Sequence, residues 1–430
     1  MNPAQLPTRS LYVSPCRRHL LRPDGSVFFY LADTAWELFH RLSREEAEHY
    51  LRDRAEKRFT AIQAVVLAEI DGLTVPNPAG HLPLHDGDPA RPNEAYFADV
   101  DHVVRCANRL GLFIAMLPTW GDKWGTTFPQ DKPIFNPDNA YTYGRFLGRR
   151  YRDDQIIWVL GGDRPVVSDV QRQTLEALAR GLSDGDGNRH LKTFHPVGQY
   201  SSAMFFHNAP WLDFHMVQTG HSRDRDNYTN IAAEYARTPH KPVIDGEPGY
   251  ENIPNHFHID FGRLDAWQCR KFAYWAVFSG ACGHTYGCNE VWQMYREGAK
   301  PLIFADTPWH KAIHFPGAGQ MQHLRQLIES GPYHQRLPDQ SLIASSNPTG
   351  PHHLRACRDP DARWALVYFP DNVTTSLRVF QLLSRKLTCR WFDPRTGQTK
   401  EPFELSVDTW QVTPFTPPGT GDWVLILQRA

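Results

Sequence analysis

The sequence predicts a (β/α)8 barrel followed by a small β-sandwich. Eight short apolar runs recur between residues 28 and 283, and segments with helical spacing lie between most of them. Continuous apolar strands that alternate with helices indicate a parallel sheet covered on both faces. After about residue 332 short strands separated by Gly, Pro, Asp and Asn replace this pattern. We therefore predict a barrel domain over residues 1–334 and a β-sandwich domain over residues 335–430.

The predicted elements follow in chain order. The barrel strands occupy residues 28–32, 59–68, 112–117, 156–160, 191–194, 214–217, 242–244 and 279–283. Apolar residues at i, i+3 and i+4 predict helices at 43–58, 94–110, 138–152, 168–182, 231–237 and 264–278. Ser43 and Glu46 have the spacing of a capping box, which marks the start of the first of these helices. The sandwich strands are predicted at 362–369, 376–382, 387–392 and 423–427.

The composition excludes several classes of protein. The 46 Lys and Arg residues balance 47 Asp and Glu residues, whereas proteins that bind nucleic acid usually carry a basic excess. The longest apolar stretch, around residues 273–277, is far shorter than the ~20 residues of a membrane helix, so no membrane partner is expected. The seven cysteines lack the spacing of a zinc ribbon. No signal peptide is visible in residues 1–24, which predicts a cytoplasmic protein, or a periplasmic or secreted one if a leader was removed.

Two carboxylates stand at the ends of the fourth and seventh predicted strands. Asp163 follows Gly161 and Gly162, and Glu247 directly precedes Pro248. In a (β/α)8 barrel the chemistry is built at the carboxyl ends of the strands, where these two acids would face each other. Glycoside hydrolysis needs such a pair: one acid protonates the leaving oxygen, and the other attacks the anomeric carbon or activates water. Asp163 and Glu247 are therefore the candidate catalytic residues.

Three other acids compete for these roles. Asp245 lies two residues before Glu247, so an unbroken strand would place both side chains on the same face. We prefer Glu247 because it stands where the strand ends, and we expect Asp245 to be a buried partner that tunes its neighbours. Glu69 and Glu290 are reserve candidates that we expect to have structural or hydrogen-bonding roles.

Aromatic and polar residues gather at the same strand ends. Sugar sites combine aromatic platforms with polar groups that bond hydroxyls. Trp124 and His221 have suitable positions, although any single ring of this kind is more often part of a core than a ligand. The predicted substrate-binding residues are Asp33, Trp36, Trp120, His195, His215, Gln218, His284, Tyr286 and Trp292.

Two alternatives stay open at this stage. His256-Phe257-His258, in the loop after the seventh strand, has the residue types of a divalent metal site, which would suggest a metal-dependent barrel hydrolase. A non-catalytic carbohydrate-binding protein would keep the aromatic platforms without needing both acids. The sequence contains no Gly-x-Ser-x-Gly elbow, P-loop or dinucleotide fingerprint, and the predicted glycosidase needs no cofactor and no metal ion.

Five segments carry a family resemblance: Asp33-Thr34-Ala35-Trp36, Trp158-x-x-Gly161-Gly162-Asp163, Asp245-Gly246-Glu247-Pro248, Gly283-His284-Thr285-Tyr286-Gly287 and Trp391-Phe392-Asp393-Pro394-Arg395-Thr396-Gly397. Together they resemble the apiosidase-like glycoside hydrolases, which are (β/α)8 barrels followed by a β-sandwich of the collagen-binding type. The resemblance covers about residues 18–428 and implies that Asp163 is the acid/base and Glu247 the nucleophile. It also implies release of the branched pentose apiose from a pectic side chain. We therefore expect a retaining glycoside hydrolase with a pectic oligosaccharide as its partner and substrate.

Overall fold

A computed structural model describes residues 11–408 and 410–430, and its larger part is a parallel barrel. The barrel strands are β1 (Tyr30–Thr34), β2 (Ala61–Leu67), β3 (Phe113–Thr119), β4 (Ile156–Gly161), β5 (Lys192–His195), β6 (His215–Gln218), β7 (Val243–Glu247) and β8 (Gly283–Tyr286). They pair in the order β5-β4-β3-β2-β1-β8-β7-β6. Between β5 and β6, Asp213 N donates to Lys192 O over 2.9 Å, so the sheet almost closes into a ring. The predicted barrel is confirmed.

Helices follow the strands and cover the outside of the barrel. They are α1 (Arg44–Glu56), α2 (Glu94–Arg109), α3 (Pro137–Arg150), α4 (Asp169–Asp186), α5 (Ser202–Phe206), α6 (Asn227–Ala236), α7 (Ala266–Phe278) and α8 (Pro316–Glu329). The capping box of α1 is confirmed, because Ser43 and Glu46 each accept a hydrogen bond from the other's backbone N–H. The sequence did not predict α5, which spans five residues, or α8, whose first turn contains Gly317 and Gly319.

Shorter elements complete the barrel. Three small strands, Tyr12–Val13, Leu20–Leu21 and Val27–Phe28, form an antiparallel sheet ahead of β1. Short helices lie at Leu38–Arg41, Asn289–Trp292 and Trp309–Ala312. Within the described residues, none of the helices is both long and apolar enough to cross a membrane.

The barrel strands are buried along their whole length, which explains their continuous apolar pattern. Their limits differ from the predicted ones. β1 begins at Tyr30 rather than at residue 28, and β8 spans Gly283–Tyr286 because α7 continues to Phe278 and a turn follows it. Residues that seemed to lie just past a strand, such as Asp33 and His284, therefore lie inside one.

The C-terminal region is built from antiparallel strands. These are β9 (Leu337–Pro338), β10 (Arg355–Arg358), β11 (Trp364–Phe369), β12 (Thr375–Leu377), β13 (Lys386–Phe392), β14 (Phe403–Ser406), β15 (Thr413–Phe415) and β16 (Trp423–Arg429). One sheet has the order β9-β10-β11-β16-β13-β14, and β12 pairs with β15. The strand predicted at 376–382 is wrong in its second half, because Val379–Leu382 form a 3-10 turn. The strands β9, β10, β14 and β15, none longer than four residues, were not predicted.

The sandwich packs against the outer face of α7. The guanidinium of Arg270 donates to both carboxylate oxygens of Asp422, over 3.0 and 2.7 Å. The rings of Tyr274 and Tyr368 are stacked with their centroids 5.0 Å apart. The helix α7 follows the loop that begins after Glu247 at the end of β7. The contacts with the sandwich therefore hold in place the helix at the far end of that loop.

Candidate active site

A tight left-handed turn carries Asp163 at the end of β4. Gly161 and Gly162 have φ angles of 96° and 110°, and Asp163 itself has φ 55°. A Cβ atom on Gly161 would lie 2.4 Å from His195 O, and one on Gly162 would lie 2.7 Å from Gly121 N. Glycine is therefore required at both positions by conformation and by space. The turn places the Asp163 carboxyl in the cavity at the barrel mouth, in a backbone conformation that non-glycine residues rarely adopt.

A β-bulge in β7 separates Asp245 from Glu247. The pairing register with β6 shifts between these two residues, and such a bulge re-aims the side chains beside it. Asp245 is fully buried and accepts hydrogen bonds from Thr219 Oγ1 over 3.0 Å and from Asn227 Nδ2 over 2.9 Å. Glu247 instead lines the cavity. The expectation that both acids share one face is wrong, because the bulge interrupts the alternation on which it depended.

Two histidines hold the Glu247 carboxylate. His195 Nε2 lies 2.7 Å from Glu247 Oε2, and His221 Nε2 lies 3.1 Å from Glu247 Oε1. The backbone N–H of Asp163 donates to His195 Nδ1 over 3.3 Å, so Nδ1 accepts and Nε2 is the nitrogen that carries a proton toward Glu247. Burial opposes ionisation of Glu247, but the two imidazoles outweigh it and hold the pKa of Glu247 well below its ordinary value. Glu247 is therefore an ionised carboxylate.

The second acid has the opposite electrostatic character. Burial, followed by the negative charge of Glu247, raises the pKa of Asp163 to about 6. Arg164 weakens this rise, with Nη1 3.7 Å from Asp163 Oδ2. Asp163 keeps 35% of its side chain exposed, on the wall of the cavity. Two carboxyl groups whose surroundings move their pKa values apart can act as a proton donor and an ionised partner.

Both acids line one cavity of about 380 Å³ at the carboxyl ends of the strands. Trp36 and Trp120 form part of its wall, with ring centroids 5.2 Å apart, and each lies against the His195 ring. A concave site with aromatic walls and a few convergent polar groups suits a sugar. The predicted residues that line this cavity are Trp36, Trp120, Asp163, Gln218, Glu247 and Trp292.

Asp33 and Tyr286, which were predicted to bind substrate, do not line the cavity. Asp33 Oδ2 accepts from Tyr50 OH and Arg54 Nε of α1, each over 2.5 Å, so this side chain faces the helix layer. Tyr286 OH donates to Glu251 Oε2 over 2.5 Å and is buried. The two predictions are therefore wrong: both residues lie within strands, and their polar atoms form hydrogen bonds with other buried side chains of the protein.

His215 and His284 also lie outside the cavity lining. His215 is the first residue of β6, at the opposite end of the strand from the mouth, and contacts His207 and Glu234. His284 lies within β8 and is buried, and burial lowers the pKa of its imidazole to about 3. Neither residue is therefore placed to bind a sugar in this cavity. Trp124 is likewise buried and donates to Gly161 O over 3.0 Å, which supports the Asp163 turn.

Loop residues complete the cavity and were mostly not predicted. They follow β5 to β8 and come together only in three dimensions; they include Gln199, Ser222, Arg225, Tyr250, Ile253, His256, Phe257 and Ile303. His221 and Glu69, which the sequence offered as secondary candidates, also line it. Glu290 is buried and accepts from Asn252 Nδ2 over 2.7 Å, so it has the expected hydrogen-bonding role. Across residues 11–408 and 410–430, no group of three or more His, Cys, Asp or Glu side chains is arranged to hold a metal ion.

Comparison with known proteins places this site in a class. A solved structure described as "Glycoside hydrolase" is 33% identical, with a TM-score of 0.89 over 98% of this chain and 97% of its own. A glycoside hydrolase family 5 structure from Bacteroides vulgatus is 32% identical, with a TM-score of 0.88 over 98% and 93%. No curated protein sequence matches the chain. The fold and these likenesses define a glycoside hydrolase.

The family follows from two sequence models. The model described as "Apiosidase-like, catalytic domain" matches residues 14–335, and "Putative collagen-binding domain of a collagenase" matches residues 337–428. The chain belongs to the apiosidase-like family, which confirms the resemblance that its sequence motifs indicate.

Proposed function

We propose that this glycoside hydrolase is a retaining enzyme in which Glu247 is the nucleophile and Asp163 the acid/base. The observation that carries the proposal is the contrast within one cavity. His195 and His221 keep Glu247 ionised, while burial and the charge of Glu247 keep a proton on Asp163 up to about pH 6. This is the division of roles that two-step glycoside hydrolysis requires.

The proposed reaction has two displacements. Asp163 gives its proton to the glycosidic oxygen as that bond to the anomeric carbon breaks, and a Glu247 oxygen bonds to the same carbon. Asp163, now ionised, takes a proton from water, and the water oxygen displaces Glu247 from the sugar. His195 and His221 stabilise the carboxylate that is regenerated, and neither step needs a cofactor.

We propose that the enzyme releases a terminal sugar from a pectic oligosaccharide, and that apiose is the first sugar to test. Family membership supports this substrate, and a cavity of about 380 Å³ suits one sugar residue better than a long polymer segment. The aromatic side chains of Trp36, Trp120 and Trp292 supply apolar surface for the sugar ring, and Gln218 supplies polar groups for its hydroxyls.

The test combines a substrate screen with product stereochemistry. The protein is incubated with apiose-bearing pectic oligosaccharides and with a panel of aryl glycosides, and ¹H NMR follows the first-formed anomer. Retention is the expected outcome, whereas an inverted first product would contradict the assignment of Glu247 as nucleophile. Equal sugar binding by the wild type and by a Asp163→Asn/Glu247→Gln double variant, with no hydrolysis by either, would instead favour a carbohydrate-binding protein.

A further inference from the structure

The two ends of the barrel differ in how they expose apolar surface. Within the described barrel residues, 11–334, every exposed large hydrophobic side chain lies in a loop after a strand or in the first turn of the next helix. The aromatic ones are Phe128, Tyr200, Phe257, Phe261 and Phe304. Single exposed apolar residues are common on protein surfaces, but their restriction to one end indicates a surface that binds something.

Phe257 and Phe261 form the part of this surface next to the cavity. They lie in two short 3-10 turns, Asn255–Phe257 and Ile259–Phe261, and are 50% and 56% exposed. His256 and Phe257 have φ angles of 54° and 62°, a conformation that costs energy for residues other than glycine. The loop therefore holds a strained backbone while it leaves two aromatic rings in solvent.

Hydrogen bonds fix this loop in place. Arg223 Nη2 donates to Phe261 O over 2.6 Å, and Arg263 Nη2 donates to Phe304 O over 2.7 Å. Arg263 thus links the end of the loop after β7 to the loop after β8, where Phe304 is 52% exposed. These hydrogen bonds hold in place the loops after β7 and β8, which we call the rim. The exposed aromatic rings of the rim therefore keep a fixed position, which lowers the entropic cost of binding.

The rim is continuous with the candidate catalytic site. Phe257 lines the cavity, and its ring centroid lies 5.6 Å from that of His221, whose Nε2 contacts Glu247. The barrel closes the cavity from below, so a leaving group attached to a bound sugar has to extend through the mouth, which Phe257 borders. Aromatic rings suit the apolar C–H face of a sugar.

We propose that Phe257 and Phe261 form a platform for the leaving group, so that the enzyme acts on a terminal sugar attached to at least one further sugar residue. This inference rests on the proposed function and adds which residues contact the leaving group of the substrate. It also gives a role to the His256-Phe257-His258 segment, since the His258 ring packs 5.3 Å from that of Phe261.

The experiment compares two substrates with the same terminal sugar. One is an apiose-bearing pectic oligosaccharide, and the other is the methyl glycoside of apiose. In Phe257→Leu and Phe261→Leu, we expect the ratio of kcat/KM for the oligosaccharide to kcat/KM for the methyl glycoside to fall about tenfold and about threefold. Phe257→Tyr, which keeps the aromatic face, should restore the wild-type ratio.

Phe403→Leu is the matched control, because Phe403 is 39% exposed on the sandwich and outside the rim. Its ratio should equal that of the wild type. A ratio in Phe257→Leu within twofold of the wild-type value overturns the platform, even when hydrolysis itself is normal. If the wild type hydrolyses neither substrate, the proposed function fails separately, and calorimetry then decides: the platform requires that Phe257→Leu weaken binding of the oligosaccharide more than binding of the methyl glycoside.

Discussion

Two carboxyl groups in β7, those of Asp245 and Glu247, are two residues apart, and their pKa values are shifted in opposite directions. Both are buried. Burial raises the pKa of Asp245 to about 7, and its hydrogen bonds from Asn227 and Thr219 only partly offset this. Glu247 faces the same penalty, yet the imidazoles of His195 and His221 hold its pKa well below the ordinary value.

The difference shows that partners, rather than depth, decide the charge of a buried acid. A neutral hydroxyl or amide donor stabilises a carboxylate less than a ring that can itself carry positive charge. The bulge between Asp245 and Glu247 makes the difference possible, because it gives the two side chains separate surroundings within one strand. One acid thereby supports the fold, and the other is available to a substrate.

The largest expected effect separates these two acids by activity. Glu247→Gln should lower kcat by about 10⁴-fold or more, because the amide cannot form the glycosyl intermediate. Asp245→Asn, the matched control, should stay within about tenfold of the wild type, because Asp245 does not line the cavity. Steady-state kinetics with circular dichroism as the folding check measure both. Equal losses in the two variants would show that the contrast between these acids has no catalytic meaning.

The next largest expected effect concerns Asp163, the second acid of the cavity. In the proposed mechanism Asp163 donates a proton and can do so only while it is protonated, so wild-type activity should decline as the pH rises through about 6. Asp163→Asn should lower kcat for the oligosaccharide by about 10²–10⁴-fold and remove this alkaline decline. The measurement is a pH–rate profile of each protein from pH 4 to 8. An unchanged alkaline limb in the variant would mean that another group supplies the proton.

The sequence predicts the barrel and the two acids that line its cavity, Asp163 and Glu247, because local signals mark where their strands end. Gly161-Gly162 before Asp163 and Pro248 after Glu247 each show where a strand breaks. The bulge leaves no such signal, since the residues from Asp245 to Glu247 alternate as in an ordinary strand.

The remaining errors have two physical causes. Asp33, His284 and Tyr286 were expected at the mouth because the predicted strands end two to three residues too early, and polar residues inside a strand resemble residues beyond it. Tyr250 and Phe257 were not predicted as cavity residues because loops from different strands meet only after folding. Strand patterns contain no information about which loops converge.

A smaller effect concerns stability. The folded state raises the pKa of Asp245 to about 7, so the protonated form contributes stability below the ordinary pKa, and this contribution is lost as the pH rises toward 7. Asp245→Asn is neutral at every pH and lacks this loss. The Tm of the variant relative to the wild type should therefore be higher at pH 8 than at pH 5, by about 3–6 °C. Thermal unfolding at the two pH values checks this, and a constant Tm difference would refute it.

The smallest expected effect concerns Glu69, and it tests whether a raised pKa and a position in the cavity are enough to make an acid catalytic. Glu69 combines both: it lines the cavity, and burial followed by the charge of Asp163 raises its pKa to about 8. At pH 6 Glu69 is protonated, so the neutral Glu69→Gln should keep kcat/KM within about threefold of the wild type. Above pH 8 the ionised Glu69 of the wild type helps Asp163 to retain its proton, so the variant should be a few-fold less active there. Profiles from pH 5 to 9 test this, and a loss greater than tenfold at pH 6 would make Glu69 a direct participant in catalysis.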